Sequence, residues 1–278
     1  MTYLLLDSGD CEKLEQIGKY KVRRQAAQAF WAKTEPSEFW QNVDATHVRS
    51  KKGGGHWEFH RKCPDTWVMD WGGFKFKAKL TPFGHIGLFP EQASNWTWLK
   101  QKVSDAAEEI QVLNLFAYTG GSTMAAASVG ANVTHVDASK GVVSWARENA
   151  SLNQLEEKPI RWIVDDVIKF VQRETRRGRK YQGLILDPPT YGRGAKGETW
   201  KIEEDLLPFL KDLKKITSQL EFILLSCHSP GFSGLVLAQM IAQAFNVATD
   251  DVQTGEMVTL SSSDLNLPSG VFARWSRN

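Results

Sequence analysis

From residue 111 onward, short apolar runs alternate with amphipathic stretches. Val112-Leu113-Asn114-Leu115-Phe116 has the composition of a buried strand, and Ser122 to Val129 reads as a short, Ala-rich helix. Val133 to Asp137 is the next strand, and Ser139 is placed to N-cap a helix reaching about Asn153. Trp162-Ile163-Val164 predicts a third strand, followed by a helix through about Arg177. Gly183 to Asp187 predicts a fourth strand and Phe222 to Ser226 a fifth, followed by a helix over about Leu235 to Phe245. Val258 to Leu260 and Gly270 to Trp275 read as two final strands. Strands and helices in alternation imply an α/β fold with a parallel sheet covered on both faces. Ligands of such sheets bind outside the carboxyl ends of the strands.

Residues 1–85 carry a different pattern, of short strands and turns, and are expected to form a small β-rich domain ahead of a larger one over 86–278. Gly72-Gly73 separates Thr66 to Asp70 from Phe74 to Leu80, a hairpin signal because glycines accept the positive φ angles of a tight turn. Phe74, Phe76, Ala78 and Leu80 alternate with Lys75, Lys77 and Lys79. The lysine face suits either nucleic-acid phosphates or the protection of a sheet edge. Trp57, Trp67 and Trp71 could stack on splayed bases or fill the core of this small domain.

Bulk properties narrow the class. The 278 residues are 42% hydrophobic and 24% charged, enough for an ordinary core and not the signature of global disorder. Net charge is +2, and residues 1–100 hold 15 Lys/Arg against 11 Asp/Glu, a mildly basic balance. Cys11, Cys63 and Cys227 do not make a disulfide framework, which points to a reducing cytoplasm. Leu4 to Leu6 is too short for a signal-peptide core, and no apolar run approaches a membrane span. His56, His60 and Cys63 are only three local ligands, and a strand would turn Cys63 away from the other two, so no metal site is expected. Lys51-Lys52-Gly53-Gly54-Gly55 is a basic loop able to meet phosphates, whereas Arg173, Arg176, Arg177, Arg179 and Lys180 fall at the amino end of the sheet as a solvated face.

The candidate chemistry lies at the strand ends. Phe116-Ala117-Tyr118-Thr119-Gly120-Gly121 closes the first strand with glycines that let backbone approach a ligand and open a helix N-terminus. The Gly-x-Gly-x-x-Gly spacing of dinucleotide sites is missing, so a single carboxylate, as on S-adenosylmethionine (SAM), fits better than a pyrophosphate. Asp137 ends the second strand, where a carboxylate can accept from ribose hydroxyls. Asp165-Asp166 ends the third; Asp166 is favoured to meet an adenine amino group and Asp165 to cap the next helix. Asp187-Pro188-Pro189-Thr190-Tyr191 ends the fourth, and two prolines stiffen a backbone that holds a carboxylate and free carbonyls for a planar nucleobase edge.

Together these residues resemble the class I SAM-dependent RNA methyltransferases, most nearly the large-subunit ribosomal RNA methyltransferases of the RlmI and RlmK type. The resemblance rests on Asn114 to Gly121, Val136 to Ser139, Asn149, Asn153, Asp165-Asp166-Val167 and Asp187-Pro188-Pro189. Gly87-Leu88-Phe89-Pro90-Glu91-Gln92 looks like the stretch that helps hold the cofactor in that family. The resemblance implies a Rossmann-like sheet of seven strands with the last antiparallel, SAM as methyl donor and RNA, chiefly ribosomal RNA, as acceptor. It assigns Phe89, Gln92, Asn114, Phe116, Tyr118, Thr119, Gly120, Gly121, Asp137, Ala138, Ser139, Asp165, Asp166, Val167, Asp187 and Pro188 to the cofactor. Pro189, Tyr191, Arg193 and Lys196 fall to the substrate.

The target atom turns on Cys227. Leu225-Ser226-Cys227-His228-Ser229 resembles the cysteine motif of cytosine-C5 members, in which a thiolate adds to C6 while an acid such as Asp187 holds the ring edge. The motif is altered, since His228 and Pro230 intrude. Without a catalytic cysteine, the methyl group would go to a nitrogen of guanine or another base. An NAD(P)-dependent oxidoreductase and a non-catalytic RNA-binding protein are the competing classes. The missing glycine fingerprint argues against the first, and intact Asp137, Asp166 and Asp187 against the second.

Overall fold

The computed structural model describes residues 2–50, 54–193, 197–263 and 265–277. They form two compact units, residues 1–93 with 258–269, and residues 94–257 with 270–278.

The first unit is built on a five-stranded sheet: β1 (Tyr3–Gly9), β2 (Glu12–Ile17), β3 (Tyr20–Gln25), β4 (Ala45–Arg49) and β5 (Gly55–Phe59), in that spatial order. Only β3 and β4 pair in parallel, with the short helix α1 (Ser37–Gln41) between them. The Gly72-Gly73 turn joins β6 (Trp67–Trp71) to β7 (Phe74–Ala78) as the sequence pattern implies, both glycines taking positive φ (58° and 84°). Phe74, Phe76 and Ala78 are buried on one face of β7. Trp57, Trp67 and Trp71 are held in the framework, each indole N–H donating to a backbone carbonyl: Thr81, Ile17 and Pro90. His60 Nε2 lies 3.0 Å from Thr46 Oγ1, and no metal-binding group of three side chains occurs among the described residues.

Two carboxylates organise this unit. Asp7 accepts from Thr34 Oγ1 (2.7 Å), from Glu35 N (2.9 Å) and from Trp40 Nε1 (2.9 Å), tying the 34–40 segment to β1. Glu15 is fully buried and accepts from Tyr3 OH (2.8 Å) and from Arg24 Nε (2.6 Å), with Lys13 Nζ at 3.3 Å. Burial alone pushes its carboxyl up, but the Arg24 and Lys13 charges outweigh that and bring it to about 2.

The second unit carries a seven-stranded sheet. Its strands are β8 (Gln111–Leu115), β9 (Asn132–Asp137), β10 (Ile160–Val164), β11 (Tyr181–Leu186), β14 (Thr217–Cys227), β15 (Gln253–Thr259) and β16 (Leu267–Ser276), in the order β10-β9-β8-β11-β14-β16-β15. The pairs from β10 to β14 are parallel, and β16, the last strand, runs antiparallel to β14. The chain leaves β8 outward through β9 and β10, then returns to β11 on the other side. That reversal sets a topological switch point between the carboxyl ends of β8 and β11. Helices α3 (Gly121–Ser128), α4 (Lys140–Leu152), α5 (Val167–Arg176), α6 (Ile202–Lys214) and α7 (Gly234–Phe245) follow the strands, and α2 (Ala93–Asp105) precedes them. The core gathers Leu113, Leu115, Leu184 and Leu186 of the sheet with Leu206, Leu210 and Ile241 of the helices. No helix among the described residues is long and apolar enough to cross a membrane.

A polar line runs through this apolar sheet. Asn114 Nδ2 donates to Thr123 Oγ1 (2.9 Å), and the Thr123 hydroxyl lies 2.9 Å from His135 Nδ1. All three side chains are buried. Burial keeps the His135 imidazole neutral, lowering its pKa from 6.5 to about 3.

Two outcomes follow from these buried groups. Arg24→Met strands the Glu15 carboxylate and should destabilise the first unit by about 3–5 kcal/mol, while the double replacement Glu15→Leu/Arg24→Met recovers most of that loss. Urea unfolding read by hydrogen exchange at β2 and β3 measures both. The His135 contribution is fully present above the unfolded pKa of 6.5 and falls away as pH drops toward about 3, because only the unfolded chain takes up the proton there. The slope is on the order of 1.4 kcal/mol per pH unit. His135→Gln should flatten stability against pH by one proton between about pH 6 and 4; an unchanged slope would exclude this account.

Candidate active site

The switch point brings together the ends of β8, β9, β10 and β11. Past Leu115 the chain turns sharply, with Phe116 and Tyr118 both at positive φ (55° and 48°) and Gly120 at 88° as the N-cap of α3. No side chain caps that helix, so its first N–H groups are directed to the turn. The two glycines serve different ends. A β-carbon on Gly121 would lie 2.4 Å from the Trp96 ring, so its smallness admits the indole. Gly120 supplies the left-handed backbone that a side chain would strain. Asn149 Nδ2, from α4, donates to the Thr119 carbonyl (2.9 Å) and fixes the turn from behind.

Asp137 ends β9 and binds this turn to its own. One oxygen accepts from Tyr118 N (3.0 Å) and the other from Ser139 N (2.9 Å). Burial raises its pKa, and the two N–H donations partly offset that. Each carboxylate oxygen can accept more than one hydrogen bond, so both retain capacity for a diol such as a ribose. Ser139 N-caps α4 through Val142 N (3.4 Å), as its place in the sequence implies, and Ala138 is exposed beside it.

At the end of β10 the helix cap falls to the second of the paired acids, not the first. Asp166, favoured for adenine, is the N-cap of α5, its Oδ1 accepting from Lys169 N at 3.0 Å. Asp165, expected to cap, forms an ion pair with Arg173 instead. An N-cap residue sits immediately before the first helical residue and its side chain reaches N2 or N3; α5 starts at Val167, one residue later than a cap at Asp165 requires. Arg173 is thereby drawn out of the expected solvated run, whereas Arg176, Arg177, Arg179 and Lys180 are exposed. Val167 is buried in the core.

Asp187 follows β11, its carboxylate partly exposed and 3.4 Å from His228 Nε2. Pro188 is buried and Pro189 exposed. The carbonyls of this turn are not all free, as expected from its prolines. That of Pro189 accepts from Trp200 Nε1 (2.8 Å) and that of Thr190 from Ile202 N (3.1 Å). Trp200 belongs to a hairpin, β12 (Tyr191–Arg193) with β13 (Thr199–Lys201), that the sequence pattern did not reveal. Its ring also packs on Phe116 (4.9 Å between centroids), so it links the turns after β8 and β11. Tyr191 is half exposed, and Arg193 lies on the β12 backbone. Lys196, with Lys51 and Lys52 of the basic loop, lies outside the described residues.

Four further expected site residues have these surroundings. Asn114 is spent on Thr123 within the sheet. Phe89 and Gln92 lie in the first unit, where Gln92 is buried and Gln92 N donates to the Phe89 carbonyl at 3.1 Å. Cys227 ends β14, beside β11, but it is 1% exposed and its sulfur accepts from Ser229 N (3.4 Å). Burial raises its pKa, and the Asp187 and Glu203 charges add to that rise against the Ser229 hydrogen bonds. A reactive thiol requires the opposite, an electropositive setting that favours the thiolate.

The donor set suits SAM. The α3 N-terminus has no side-chain cap, so its N–H groups suit a carboxylate, and the Asp137 carboxylate is chemically suited to hydroxyl donors such as those of a ribose. SAM itself brings a methyl group already activated on a sulfonium. Comparison with known proteins agrees. Residues 46–227 match the family described as S-adenosylmethionine-dependent methyltransferase. A crystal structure of the SAM-dependent methyltransferase from Agrobacterium tumefaciens is 38% identical and superposes with a TM-score of 0.92, covering 100% of this chain and 91% of that one. The ribosomal RNA large subunit methyltransferase K/L of Shewanella frigidimarina is 32% identical over 182 residues, 65% of this chain and 24% of that protein. The ribosomal RNA large subunit methyltransferase K of Neisseria meningitidis is 30% identical over 167 residues, 60% of this chain and 44% of that protein. The chain thus spans less than half the length of these two curated relatives. From the strand-end geometry and the match over most of its length, the chain belongs to the S-adenosylmethionine-dependent methyltransferase family.

Proposed function

We propose that this protein transfers the methyl group of SAM to a nitrogen of an RNA base, with ribosomal RNA as the substrate. The observation that carries this reading is the placement of Asp187, at the head of a Pro-Pro turn, across the switch point from the turn that Asp137 holds. A carboxylate on a backbone stiffened by two prolines presents an acceptor in a fixed plane, suited to the N–H edge of a base. The names of the curated relatives support RNA as the class of acceptor.

The chain's own work is alignment. Asp137 and the first turn of α3 would hold the cofactor, with Tyr118, Thr119 and Asp166 as further candidates. Pro189 and Tyr191, both exposed beside Asp187, would flank the acceptor, and Arg193 and Lys196 are candidates for phosphate contacts. A base in a duplex is out of reach of such a site, so the acceptor is single-stranded or flipped out. Attack by a nitrogen lone pair needs no covalent enzyme adduct. The burial and raised pKa of the Cys227 thiol favour this route over the cytosine-C5 route.

Labelled SAM supplied to total RNA, followed by nucleoside analysis, should yield an N-methylated base; 5-methylcytosine as the product, or no transfer, would overturn this reading. Cys227→Ala should retain kcat within about threefold, whereas loss of a nucleophile costs orders of magnitude. Asp137→Ala should weaken SAM binding by about 10–100-fold in calorimetry, the equivalent of two lost hydrogen bonds.

A further inference from the structure

His228 is the residue at which the β14 end departs from the cysteine motif, and the fold has built a seat for it. Gly270 of β16 lies against it at φ 119°, and a β-carbon there would stand 3.1 Å from His228 Nδ1, 2.9 Å from Met257 Cε and 2.6 Å from the Cys227 carbonyl oxygen. A side chain at 270 would clash first with the Cys227 carbonyl and would also crowd the imidazole. From that seat the opposite nitrogen, Nε2, comes within 3.4 Å of Asp187 Oδ1 at the end of the neighbouring strand. The Ser229 hydroxyl, one residue on, meets Thr190 Oγ1 at 2.6 Å, so the two strand ends are fastened at a second point. The His228 side chain is about one-third exposed and open to water.

We propose that His228 is a positioning and proton-relay residue that acts through Asp187. This rests on the reading of the site as a base-nitrogen methyltransferase. When the acceptor nitrogen attacks, the nitrogen–carbon bond forms as the methyl–sulfur bond breaks, and the bonding pair stays on sulfur. The nitrogen becomes cationic and must lose its proton. Asp187 takes that proton at the base edge, His228 Nε2 takes it from Asp187, and the exposed imidazole returns it to water. The imidazole must be neutral at the start of each cycle. Among the described residues, the ionisable groups near it include Asp187 of the β11 end and Cys227 of β14, with Glu203 of α6 acting on Cys227; Gly270 of β16 and the uncharged Met257 of β15 lie on the Nδ1 side.

The test has two arms. In the first, kcat is followed against pH. For the wild type it should rise with pH as the imidazole loses its proton and can accept another. His228→Gln, which can still hydrogen-bond Asp187 but cannot carry a proton, should lose about 10–100-fold in kcat with an unchanged KM for SAM, and should lose that pH limb. Added imidazole should restore activity to His228→Ala. In the second arm, the His228 ring is titrated by NMR in the protein without SAM, and Asp187→Asn should lower its pKa by removing a neighbouring negative charge. An unaltered pH limb in His228→Gln, no rescue by imidazole, or no shift on Asp187→Asn would each overturn the relay. A protein that binds SAM but methylates no RNA would instead overturn the function proposed above, while the NMR titration still decides the coupling of His228 to Asp187.

Discussion

The carboxylate of Asp137 is the constraint on which the site depends. Its two oxygens accept from Tyr118 N and Ser139 N, so a single side chain closes both the turn that leaves β8 and the turn that leaves β9. The turn after β8 carries strain, because Phe116 and Tyr118 sit at positive φ, a conformation costly for residues with a β-carbon. Hydrogen bonds to a buried acid help offset that strain.

Behind this edge the sheet spends polar groups to gain definition. Asn114, Thr123 and His135 make one hydrogen-bonded line through an otherwise apolar layer, joining β8, α3 and β9. These bonds tie β8 to β9 through α3, close to where Asp137 meets Tyr118. Trp200 does comparable work on the other flank. Its indole N–H binds the Pro189 carbonyl and its ring covers Phe116, so the turns after β8 and β11 cannot drift apart.

Much of this was legible from residues alone. The apolar runs at 112–116, 133–137, 183–186 and 222–226 located four parallel strands, and the Ser139 cap and the Gly72-Gly73 hairpin formed as their chemistry requires. Helix α6 escaped notice because Pro208 lies inside it, although Ile202, Leu206, Phe209, Leu210 and Leu213 keep helical spacing. The β12–β13 hairpin has only three residues in each strand, too short for alternation to register. In the first unit the chain order of the strands carried no mark of the return of residues 258–269, which join it through the Ser262 N–H on the Leu5 carbonyl.

The sequence by itself determined the class of fold and the identity of the acids at the strand ends, because both follow from local rules: hydrophobic period, turn residues and the carboxyl-edge rule for parallel sheets. The tertiary structure decided what each acid is free to do. Asp165 and Asp166 are chemically alike and adjacent, and only the start of α5 and the reach of Arg173 tell cap from ion pair. Cys227 has the residue type of a nucleophile, yet the β14 end buries it and raises its pKa. His228, an interruption when read along the chain, faces Asp187 across the strands. Reactivity depends on desolvation and on charges brought close by packing, and those distances exist only once strands remote in sequence lie side by side.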